Sequence, residues 1–134
     1  AMTVIVIRHA TPSSVPPSLP AHLGNHPVVC KDCSGVEEIR QCLCQIDAQP
    51  RDWVVLELGA VDEQQWCEQA AALGHALDQL PAQYIEVQAT CELDLQSRLR
   101  LQHAPAAVVV DHRNAQGGYP LSLGIIRHRL AMEA

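Results

Sequence analysis

The stretch "DWVVLELGAVDEQQWCEQAAALGHALDQLP", Asp52–Pro81, decides the fold. Asp52–Leu56 runs through Trp53, Val54, Val55 and Leu56 without polar alternation, as expected of a strand covered on both faces. After Gly59-Ala60, Asp62 stands where a helix N-cap belongs, with Gln65 three residues on. Trp66, Ala70, Leu73, Leu77 and Leu80 then mark one helical face, and Pro81 closes the segment. A doubly covered strand feeding a long amphipathic helix is half of a parallel crossover, because a parallel sheet needs helices on its faces.

The flanking sequence repeats the unit. Upstream, Val4–Ile7 is a first apolar, β-branched strand and Pro27–Cys30 a second. Ser34 and Glu37 have capping-box spacing ahead of Val36, Ile39, Leu43 and Ile46, which predicts a helix over about 35–46. Thr11–Pro27 holds five of the nine prolines and is expected to be a lid-type loop over 11–27. Downstream, Tyr84–Ala89 and Ala106–Asp111 read as fourth and fifth strands. Asn114–Glu133 reads as a glycine-led helix with Pro120 tolerated in its first turn. The expectation is one α/β domain over 2–134, a three-layer sandwich around a five-stranded parallel sheet in the flavodoxin-like order 2-1-3-4-5.

Composition narrows the partners. At 48% hydrophobic and 18% charged residues the chain is globular, and 3% aromatics make its core mostly aliphatic. A net charge of −6 argues against nucleic acid, whose binders concentrate Lys and Arg. No apolar run approaches the roughly 20 residues of a membrane span, and no leader-like pattern opens the chain, so a cytoplasmic protein is expected. Cys30, Cys33, Cys42 and Cys44 form C-x2-C-x8-C-x-C, with His22 and His26 nearby. Helix positions two apart point about 200° from each other, so Cys42 and Cys44 are not expected on one ion. Packing thiols are expected, with neither metal nor cofactor.

In an open parallel sheet the ligand sits beyond the carboxyl ends of the strands, where the strand order reverses. That selects Arg8, His9, Thr11, Glu57, Gln88, Asp111 and His112, and a small anionic or polar ligand.

Two resemblances bear on chemistry. "VIRHAT" (Val6–Thr11) resembles the R-H-G motif of the histidine phosphatase superfamily. That resemblance implies His9 as nucleophile, Arg8 on the phosphoryl oxygens and His112 as second histidine. The superfamily's S-P-L-x-R-A-x-Q-T segment has no counterpart here.

From Asp52 onward, about 80 residues are similar in order and spacing to type II 3-dehydroquinate dehydratase. That family runs D-G-I-I-I-N-P-G-A-Y-T-H-T-S, then V-E-V-H-L-S-N, then G-V-I-x-G-x-G-A-Q-G-Y. Gly59-Ala60 falls on its G-A, Glu86-Val87 on its E-V, and Ala115-Gln116-Gly117 on its A-Q-G. The resemblance implies cofactor-free elimination of water from 3-dehydroquinate through an enolate. A lid tyrosine–arginine pair removes the proton, a histidine is the general acid and an asparagine stabilises charge. It also implies assembly into trimers or dodecamers.

Carried across, the catalytic set is lost. Glu57 stands for the asparagine, Glu63 for the histidine after G-A-Y-T, and Gln88 for the histidine of E-V-H. Arg98 and Arg100 stand near the family's substrate-binding R-x-P-x-R arginines, while 11–27 contains neither Tyr nor Arg. Glutamine has no proton to move at working pH, and two glutamates repel a carboxylate substrate. The sequence therefore predicts a non-catalytic ligand-binding or regulatory module on this scaffold, homo-oligomeric like its relatives. A phosphohydrolase using His9 is the other reading. Tyr84 or Tyr119 set beside an arginine in the mouth would restore the missing pair.

Overall fold

A computed structural model describes residues 2–10, 18–59, 63–88, 98–110 and 118–133. The elements laid out in full among the described residues are, in chain order, β1 (Val4–His9), β2 (His22–Leu23), β3 (His26–Cys33), α1 (Val36–Gln45), β4 (Trp53–Glu57), α2 (Glu63–Gln79), β5 (Gln83–Gln88), β6 (Ala107–Val110) and α3 (Gly118–Glu133). They form a single sheet ordered β2-β3-β1-β4-β5-β6, parallel except where β2 runs against β3.

Strand alternation divides the core into two layers. Ile5, Ile7, Val54, Leu56 and Tyr84 pack with Ile39 and Leu43 of α1 and with Leu73 and Leu77 of α2. Val4, Val6, Val55, Ile85 and Val87 pack with Tyr119, Leu123 and Ile126 of α3. Val4, Val6, Val54, Val55 and Leu56 have no exposed surface, which is why their sequence shows no alternation.

The structure corrects several expectations. The sheet has six strands, not five, because residues 22–27 of the expected lid form a hairpin. Gly24, at φ +63°, leads a two-residue turn of the Gly-X kind, and Leu23 is buried against the α3-side core. Residues 11–17 of that loop lie outside the described residues. β1 and β3 run on to His9 and Cys33, past Ile7 and Cys30, because they pair in register to those ends.

Asp52 precedes β4 rather than starting it. Its carboxylate accepts from the backbone N–H of Thr3 and of Gln49, both at 2.9 Å, and so ties the preceding turn to β1. The cap of α1 lies one residue later than the Ser34/Glu37 spacing suggests. Gly35 is the N-cap, and Glu38 reaches back to accept from the Ser34 N–H at 2.6 Å. Asp62, the expected cap of α2, and the ends Ala89 and Asp111 of the fourth and fifth strands lie outside the described residues. Among the described residues no helix is long and apolar enough to cross a membrane.

Candidate functional site

The parallel register sets Arg8 level with Asp32 on one side and Glu57 on the other, at the carboxyl ends of β1, β3 and β4. Neighbours at one level of a parallel sheet share a face, and Val6 places this row on the α3 side. The Arg8 side chain is 6% exposed; its guanidinium lies 3.5 Å from Asp32 Oδ1 and 3.8 Å from Glu57 Oε1. Tyr119, the second residue of α3, donates its hydroxyl to the same Glu57 oxygen at 2.5 Å. The Cys30 thiol donates to Asp32 Oδ1 at 3.5 Å.

Burial, and then the hydrogen bond and charge of Glu57, push the Tyr119 phenol well above its ordinary range; Arg8 opposes this more weakly. Burial, followed by the charge of Asp32, pushes the Cys30 thiol up to about 11. Both groups therefore keep their protons at neutral pH. Among the described residues one guanidinium faces two carboxylates, a formal excess of one negative charge.

The other predicted residues that the structure describes are not gathered here. His9 lies one residue out of phase with Arg8, on the α1 and α2 side, with its ring against Gly59. Gly59 has φ +67°, and a Cβ there would come within 2.9 Å of His9 Nδ1. Gln88 donates its side-chain amide to Glu86, which is 3% exposed, on that same side of the sheet. Arg98 lies 5.0 Å from the ring centroid of Trp66, a cation–π stack. Glu63 and Arg100 are exposed. Thr11, Asp111 and His112 lie outside the described residues. The candidates thus divide between the two faces of the sheet, which an order of strands alone does not reveal.

Sequence reasoning missed Asp32, Cys30 and Glu86. A register of β3 against β1 finds the first two, since Cys30 and Asp32 are the partners of Val6 and Arg8. It named Tyr84 and Tyr119 as the tyrosines that would restore the missing pair, and Tyr119 does stand in the mouth, on the Glu57 carboxylate that also faces Arg8. Tyr84 lies at the other end of the sheet, where its hydroxyl donates to the His103 carbonyl at 2.7 Å. A groove of about 420 Å3 between α1 and α2, lined in part by Ser34, Glu37, Glu38, Gln65 and Glu68, contains none of the predicted residues. Among the described residues no three His, Cys, Asp or Glu side chains are grouped to hold a metal. Cys42 packs against the core while Cys44 is exposed.

No protein-family model matches the chain, and no curated protein matches it.

Proposed function

We propose that this chain is a non-catalytic ligand-binding or regulatory domain of the type II dehydroquinase kind, built on a flavodoxin-like sheet. With the two-residue β2 set aside, the strands run β3-β1-β4-β5-β6, which supports the scaffold half of the reading. The observation that carries the functional half is the internal use of Arg8. Its guanidinium is directed at Asp32 and Glu57 rather than at solvent, and Tyr119 donates to Glu57.

A tyrosine acts as base only when its pKa is brought down toward the working pH, and here burial and Glu57 push it up. The same cluster repels an anionic substrate, and the phosphatase reading meets the same obstacle. That reading has a further one, since His9 stands on the opposite face of the sheet from the arginine that would bind the phosphoryl group. Homo-oligomerisation remains part of the proposal, on the resemblance alone.

The test is incubation of the purified protein with 3-dehydroquinate, following the ultraviolet absorbance of the enone, and with a generic phosphate ester, comparing the unaltered protein with His9→Ala. The proposal expects no enone and no ester hydrolysis that depends on His9. Enone formation, or hydrolysis abolished by His9→Ala, overturns it.

A further inference from the structure

The two edges of the sheet are unlike. On one side the β2 hairpin covers the start of β3, and exposed Lys31 and Asp32 put charges on the rest. Charges and short covering strands are what keep an edge from pairing with another chain. Among the described residues β6 has neither. Ala106–Val110 holds no charge and no proline, and no described strand pairs on its outer side. Gly118 stands over Val87 of β5 and Val109 of β6, and the Tyr119 hydroxyl reaches back across the sheet to Glu57 of β4. Helix positions two apart point about 200° from each other, so Leu121 points the other way, out past β6. Ile125 and Met132 follow it on that flank at helical spacing. Val109 faces the α3-side core, so its neighbour Val108 opens on the other face of the same edge. Val108, Leu121 and Met132 are thus exposed apolar side chains along one edge; among the described residues Val29, on β3, is the exposed large hydrophobic that lies elsewhere.

We propose that the β6 edge is where two copies of this chain meet, antiparallel across a two-fold axis that passes beside Val108. The two sheets then continue into one another, and the Leu121 flanks of the two α3 helices lie along the joint. A two-fold contact requires a patch that complements itself. Run against its own copy, β6 sets Val108 against Val108 and places no like charges opposite each other. A strand of four residues is by itself too small, since a stable contact needs about 800 Å2 per partner. The flank carrying Leu121, Ile125 and Met132 supplies further apolar area beside it. The inference rests on the homo-oligomer part of the proposal above and gives it a surface.

The test is sedimentation equilibrium of the full chain, unaltered and with Val108→Lys, over a range of concentrations. The expected mass of the unaltered chain is an even multiple of 14.6 kDa. Val108→Lys sets two ammonium groups together at the axis and is expected to weaken the association by about a hundredfold or more. Val29→Lys, on the opposite edge, is expected to leave it unchanged. In the unaltered chain the β6 amides are expected to exchange with deuterium more slowly as concentration rises through the association, which decides the question even where a variant does not fold. A monomer at every concentration overturns this inference and the homo-oligomer together. An odd multiple, a folded Val108→Lys that associates as before, or β6 amides indifferent to association overturns the inference and leaves the homo-oligomer standing.

Discussion

Tyr119 does the most at the scale of single residues. Its hydroxyl supplies a hydrogen bond to a carboxylate that also faces Arg8, in a setting from which most water is excluded. Tyr119→Phe removes the donor and leaves Glu57 with less compensation, so a loss of about 1.5–3 kcal/mol is expected by denaturant unfolding. The pH dependence follows in sign from the same environment. A phenol or thiol held neutral in the fold keeps its proton after the unfolded chain has released it, so unfolding becomes easier as pH rises. For Cys30 and Cys33, raised from 9.0 to about 11, stability is complete below pH 9 and falls between those values. For Tyr119 and Tyr84 the fall begins above about pH 10. Unfolding midpoints measured from neutral to alkaline pH should show this decline, and Tyr119→Phe should flatten its upper part.

At the scale of elements, sequence periodicity served well where a strand or helix is covered and poorly where it meets the rim. Val4–Ile7 and Val54–Leu56 are apolar because both of their faces are buried, so pattern alone located β1 and β4. The cap of α1 was displaced by one residue because Glu37 and Glu38 stand three residues after Ser34 and Gly35 respectively, so either position fits as the start. Glu38 settles the choice by bonding back to Ser34. The hairpin inside the proline-rich segment was illegible because two residues of β2 carry no period at all. The start of α3 offers an element-scale test. A Cβ on Gly118 would lie 2.6 Å from Val87 Cγ1 and 3.4 Å from Val109 Cγ1, both on the strands beneath the helix. Gly118→Ala is expected to lift the first turn of α3 from β5 and to cost about 1–3 kcal/mol in the same unfolding assay. It should also lengthen the Tyr119–Glu57 hydrogen bond.

For the whole molecule, the sheet brings acidic and basic groups from three strands and one helix to a single rim and sets most of them against one another. Arg8 and Glu57 were legible as strand-end residues, and their pairing follows once β1 and β4 are neighbours. Asp32 was not, because it reaches the cluster through a strand register that single-sequence patterns leave open, and Tyr119 could be named only as one of two candidate tyrosines, since helix packing decides which of them arrives. The division of His9 and Gln88 from Arg8 is a matter of face, fixed by alternation within each strand. The internal engagement of Arg8 is followed most directly by an NMR titration of its guanidinium signal, as 3-dehydroquinate or inorganic phosphate is added to millimolar concentration. The signal is expected to stay where it is, held by Asp32 and Glu57. A saturable shift with either anion would show that the arginine is open to ligand, and would contradict the account.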